Sequence, residues 1–265
     1  MPKTAIAIAC HPDDIEFMMV GTLIKLKEAG YEIHYLNIAN GSLDTNQYDY
    51  ETIVRIRREE AIAACKVIGA HFHESISDDM EVAYNLDQLS KVVGVIRRVK
   101  PEIVLTHGPY DYMEDHVSAG RLAVSAAFSR GMVNFKCTQP AIDGKVTVYH
   151  SMPHSLTDQL RRPVIPGLFV DISTTIELKK QMLSCHRSQK EWLDVSQGND
   201  AYLIDMVKRG CYFGKMSERY EYAEGWIRHS PVGFCADDDN PLIDVLGDDA
   251  FVNTDFEEAI KLNFS

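Results

Sequence analysis

The apolar run Thr4-Ala5-Ile6-Ala7-Ile8-Ala9 ends abruptly in Cys10-His11-Pro12-Asp13-Asp14-Ile15-Glu16, and this junction constrains the chain most. A short run rich in Ile reads as a buried strand. Directly behind it stand one imidazole and three carboxylates, which are costly to bury unless they are paired or bind a metal. The loop therefore either faces water or holds something. His11 and Asp14, three apart around a turn, can converge on one ion, leaving Asp13 free to act as a base beside it. The competing reading is a helix N-cap, with Asp13 or Asp14 accepting backbone N–H groups.

The rest of the chain alternates strand-like and helix-like segments. Residues 21–30 read as a helix stopped at a glycine, and 32–39 as a strand. Residues 50–68 carry a helical pattern with Gly69 beyond it, and 86–99 form another helix with Pro101 at its exit. Residues 103–106 read as a strand, 116–128 as a helix with small residues on one face, 146–149 and 168–172 as strands, and 174–185 as a helix. This order predicts an α/β fold, a Rossmann-like, mostly parallel sheet flanked by helices. We expect a single domain over 1–265, with a core at about 4–190 and an irregular C-terminal extension at about 191–265. Such sheets bind ligands beyond the carboxyl ends of their strands, where the strand order reverses.

Charge and cysteine usage narrow the function. The formal net charge of −12 over 265 residues argues against a nucleic-acid partner. No apolar run approaches the ~20 residues of a membrane span. The opening Met1-Pro2-Lys3-Thr4 leads straight into a strand and lacks the pattern of a signal peptide. Six scattered cysteines without a C-x-x-C spacing argue against a disulfide framework or a thiolate zinc site. The expectation is a cytoplasmic protein with a small-molecule substrate.

A second polar cluster, His107-Gly108-Pro109-Tyr110-Asp111-Tyr112-Met113-Glu114-Asp115-His116, follows the strand at 103–106. Two N/O clusters on two strand ends offer His11, Asp14 and His116. Three such ligands plus a water suit a hydrolytic zinc site. Asp115 is a candidate outer partner for an imidazole, although contact between chain neighbours is awkward. Alone, Asp115-His116 would read as a solvated helix start.

At these residues the chain resembles the zinc-dependent N-deacetylases of the PIG-L/LmbE family. The motif His-Pro-Asp-Asp stands intact at His11-Pro12-Asp13-Asp14. The block Arg57-Arg58-Glu59-Glu60-Ala61 through Ile68-Gly69, the segment Asp111 to His116, and Val170-Asp171-Ile172 with Lys179 and His186-Arg187-Ser188-Gln189 match in order and spacing. The resemblance spans roughly residues 4–229. It implies one Zn2+ per chain on His11, Asp14 and His116, with Asp13 as general base. Arg57 would bind a polar group of the substrate, an N-acetylated sugar derivative, and the protein would be a homo-oligomer. Read without the resemblance, Arg57 fits a solvated helix face equally well.

One departure bears on the chemistry. Met113 stands where the family has a His that stabilises the oxyanion, and a thioether donates no hydrogen bond. The candidates to replace it are His107, His150 and His154. His154, from another strand end, is preferred as the catalytic residue, and His107 is assigned to substrate binding. A structural role is an equal reading for each. The leading function is removal of an N-acyl group, most simply acetyl, from an amino sugar or related polar amide. The alternatives are a zinc-dependent hydratase or lyase acting on a small carboxylate, and a non-catalytic binding relative.

Overall fold

The structure, a computed structural model, describes residues 2–197 and 201–262. Its strands are β1 (Thr4–Ala9), β2 (Glu32–Asn37), β3 (His71–His73), β4 (Ile103–His107), β5 (Thr147–Ser151), β6 (Leu168–Asp171), β7 (Ala223–Arg228) and β8 (Ala250–Val252). They form one sheet in the order β3-β2-β1-β4-β5-β7-β6-β8. The first five in that order are parallel, and β7 runs antiparallel to both β5 and β6. Chain order reverses between β1 and β4, which opens a crevice beyond their carboxyl ends. His11 follows β1 there, and His107 ends β4.

The alternation of β1 supplies both faces. Ala5, Ala7 and Ala9 pack with Ile33, Tyr35 and Leu105 on one side, beneath α2 (Val20–Glu28) and α6 (Ile176–Leu183). Ile6 and Ile8 pack with Leu36 and Val104 on the other, beneath α4 (Leu86–Val99) and α5 (Glu114–Phe128). Burial on both faces is why β1 reads as an uninterrupted apolar run. α3 (Tyr50–Ile68) starts where Asp49 accepts from Thr52 N at 2.8 Å and ends at Gly69 in the left-handed region.

α5 sits unusually close to β4. A Cβ on Gly120 would lie 2.7 Å from the His107 carbonyl oxygen, so only glycine permits this approach. Ala119, Ala123, Ala126 and Ala127 continue the thin face, and all are buried. This packing carries His116, in the first turn of α5, down to the end of β1.

The described residues beyond 190 are regular, not an irregular appendage. They form α7 (Arg187–Gln197), α8 (Ala201–Ser217), α9 (Pro241–Leu246), α10 (Thr254–Leu262) and two strands of the sheet. β7 completes the core: Glu224 pairs with Lys179 and accepts from Gly21 N and Thr22 N at 2.9 and 2.8 Å, satisfying the start of α2. Trp226 is fully buried and donates to Thr22 Oγ1 at 3.0 Å. All six cysteines are unpaired. No helix among the described residues is long and apolar enough to cross a membrane.

Candidate metal centre and active site

β1 delivers His11, and α1 (Asp14–Met18) begins at once with Asp14. Asp14 Oδ2 accepts from His11 N at 2.7 Å and lies 3.5 Å from both His11 Nδ1 and His116 Nε2. One donor atom from each of the three residues falls within 4.8 Å of the others, and all three residues are buried. The neighbouring imidazoles His116 and His107 overcome the effect of burial and hold the Asp14 carboxyl well below its usual range.

The far side of each ring is held by a carboxylate. His116 Nδ1 lies 3.1 Å from Asp111 Oδ1, and His11 Nε2 lies 3.5 Å from Asp115 Oδ2. A carboxylate behind an imidazole fixes its tautomer and turns the other nitrogen toward a metal. Two imidazoles so oriented and one ionised carboxylate fit a divalent ion such as zinc. Cys10 is nearby, and burial pushes its thiol up to about 12.

Asp13 stands beside this set and lines the same cavity. Its φ of 116° is a left-handed conformation that costs a non-glycine residue about 1–3 kcal/mol. Tyr202 of α8 donates to Asp13 Oδ2, and Arg57 Nη2 lies 3.5 Å from Oδ1. Burial outweighs the pull of Arg57 and raises the Asp13 carboxyl to about 6.

Two residues expected to bind substrate are buried and lie outside the cavity lining. Arg57 is fully buried and donates to the Pro12 carbonyl at 2.6 Å, so it braces the first loop from beneath. His107 is also buried: its Nε2 accepts from Cys10 N at 3.0 Å and lies 3.2 Å from Asp14 Oδ2. Because β4 runs through His107, the ring enters the protein beneath Asp14 and does not reach the cavity. His150 is structural, its Nδ1 lying 2.8 Å from the His107 carbonyl oxygen and its Nε2 2.9 Å from His229 Nδ1.

His11, Asp13, Asp14 and His116 line a cavity of about 300 Å³. Met113 and His154 line it too. His154 stacks on Phe17 at 4.9 Å, and Tyr202 stacks on the same ring at 5.0 Å. Arg209 of α8 secures the His154 segment through the carbonyls of Met152, Pro153 and His154, at 2.6–3.1 Å. Asp44, Asp79 and Asp205 complete an acidic lining that includes no Lys or Arg among the described residues.

Sequence reasoning missed Asp111 and Tyr202. Asp111 lay inside a quoted motif, five residues before His116, and that spacing was the available signal. Tyr202 reaches Asp13 across 189 positions and carries no local signature. The segment His186 to Gln189 serves mainly as a brace: His186 lies 3.2 Å from Glu16, and Ser188 donates twice to Glu60 at 2.6 and 2.9 Å. Gln189 lines the cavity.

A parallel sheet with two buried imidazoles, a carboxylate and a separate buried acid at its switch point defines a metal-competent α/β site. The chain belongs to the PIG-L family: residues 6–127 match the family model described as GlcNAc-PI de-N-acetylase. It is 32% identical over 237 residues to diacetylchitobiose deacetylase of Thermococcus kodakarensis, covering 86% of this chain and 84% of that protein. It is 27% identical over 198 residues to 4-oxalmesaconate hydratase of Pseudomonas putida, covering 71% and 74% respectively. The fold matches N,N'-diacetylchitobiose deacetylase of Pyrococcus horikoshii with a TM-score of 0.73 at 22% identity, over 87% of this chain and 85% of that one.

Proposed function

We propose that this protein is a zinc-dependent N-deacetylase acting on an N-acetylated amino sugar or a related small polar amide. The observation that carries this reading is the charge of the cavity. Five aspartates line it and no described lysine or arginine does. Carboxylates accept hydrogen bonds from sugar hydroxyls and attract the ammonium group that deacetylation releases. A dicarboxylate substrate would meet like charge.

His11, Asp14 and His116 would hold the ion, which when bound polarises a carbonyl and lowers the pKa of water. Asp13 takes a proton from the attacking water and returns it to the departing amine. A carboxyl raised to about 6 is ionised at neutral pH yet basic enough for that exchange. Tyr202 and Arg57 fix the two Asp13 oxygens, so the base is oriented before substrate arrives. His154 faces the same cavity as Met113 and supplies the donor that the thioether cannot. Phe17 holds its ring in place. The unpaired cysteines fit a cytoplasmic setting, and a homo-oligomer remains the expectation from the family resemblance.

One observation favours a second reading. Met113 lines the cavity where a deacetylase of this family would place a His, and a hydratase has less need of a donor to a departing amine. Acetate release from N-acetylglucosamine and N,N'-diacetylchitobiose separates the two, with Asp13→Asn as the blank. Acetate formed by the wild type and absent from the blank supports deacetylation. Hydration of an unsaturated dicarboxylate with no acetate from any amide would replace that reading with the hydratase.

A further inference from the structure

A second cluster of metal-binding side chains lies on the edge of the sheet, near the opposite end of the strands. Register pairs His34 of β2 with His71 of β3, and Glu32 stands two residues before His34 on the same face. Glu32 pairs with Thr4, the first residue of β1, whereas His11 lies beyond the last. Glu32 Oε1 is 3.4 Å from His34 Nε2 and 3.0 Å from His71 Nε2. Donor atoms about 2.0–2.1 Å from a tetrahedral zinc stand roughly 3.4 Å from each other. The three side chains therefore already have nearly the spacing that one ion requires, all within 4.8 Å.

We propose that Glu32, His34 and His71 form a second site for a divalent transition-metal ion, independent of the one at β1 and β4. The other nitrogen of His34 is held in turn, with Nδ1 3.1 Å from His73 Nε2, which leaves Nε2 aimed at Glu32. His34 stacks on His71 at 4.8 Å and on His73 at 5.3 Å. One oxygen and two imidazole donors suit zinc, nickel or copper and not calcium or magnesium. The His71 side chain is 57% exposed, so the site is open to solvent. The bound ion ties the three-residue strand β3 to β2 and braces an edge held otherwise by a short ladder.

The test uses untagged full-length protein carrying His116→Ala, so that a second site is counted apart from the first. The protein is stripped with chelator, dialysed against zinc and analysed for metal. We expect one zinc per chain in His116→Ala and none when His71→Ala or Glu32→Gln is added. Zinc should raise the melting temperature of His116→Ala and leave that of the double variants unchanged. His71→Ala alone should retain catalytic activity. The proposal is overturned if His116→Ala binds no zinc, or if its zinc persists after both His71→Ala and Glu32→Gln.

Discussion

Arg57 holds the loop that carries Asp13: its Nη2 donates to the Pro12 carbonyl at 2.6 Å and lies 3.5 Å from Asp13 Oδ1, in a fully buried position. Removing one partner of a buried ion pair costs about 3–5 kcal/mol. Arg57→Met should therefore lower both stability and kcat. KM should change little, because Arg57 does not reach the cavity. A variant whose KM rises several-fold at unchanged kcat would restore the substrate-binding role expected from sequence.

Asp13→Asn retains the size of the side chain and removes the proposed base. Turnover should fall by ~100-fold or more, the scale of general-base loss. Metal content should not change, since Asp13 is not among the grouped donors. Zinc analysis beside steady-state kinetics separates the two effects, and loss of zinc would make Asp13 a ligand.

Asp111 stands behind His116, with its Oδ1 3.1 Å from the ring Nδ1. Asp111→Ala leaves His116 Nδ1 without its carboxylate partner, and outer partners of this type typically contribute 10–100-fold in metal affinity. Competition against a chromophoric chelator should show a loss of that order. Unchanged affinity would mean that packing alone orients the ring.

Met113 and His154 give a paired comparison for the proposed donor. Losing one preorganised donor costs on the order of 3 kcal/mol, or about 100-fold in rate. His154→Ala should lower deacetylation by about that factor. Met113→His in that background should recover part of it, because both side chains face one cavity. If His154→Ala is neutral, the donor lies elsewhere.

His150 should make stability depend on pH. Burial pushes its imidazole down to about 4, whereas an unfolded histidine titrates near 6.5. Between those values the unfolded chain binds more protons at this residue. Its contribution is therefore complete above about pH 6.5 and is lost as pH falls toward 4, with a slope of at most ~1.4 kcal/mol per pH unit. Urea unfolding across that window should show a shallower decline in His150→Gln. An identical slope in both proteins would assign the effect to other histidines.

Elements whose signal is local were legible along the chain. β1 announced itself as an apolar run because it is buried on both faces, and α3 was bounded by the turn chemistry of Asp49 and Gly69. β3 has three residues and too short a pattern to read. α8 and β7 went unread because their meaning lies in what they touch: Tyr202 in Asp13, Arg209 in the His154 segment, Glu224 in the start of α2.

By itself, the sequence determined the mostly parallel α/β architecture and the chemistry-bearing types at both strand ends. Strand and helix periods, and motifs such as His11-Pro12-Asp13-Asp14, are properties of neighbouring residues. Only the tertiary structure decided that Arg57 and His107 are buried braces, that Asp111 and Asp115 stand behind the two imidazoles, and that the cavity is acidic without a described cation. Those outcomes depend on which way a side chain turns at the end of its element. Packing between segments far apart in sequence sets that direction, and no local pattern encodes it.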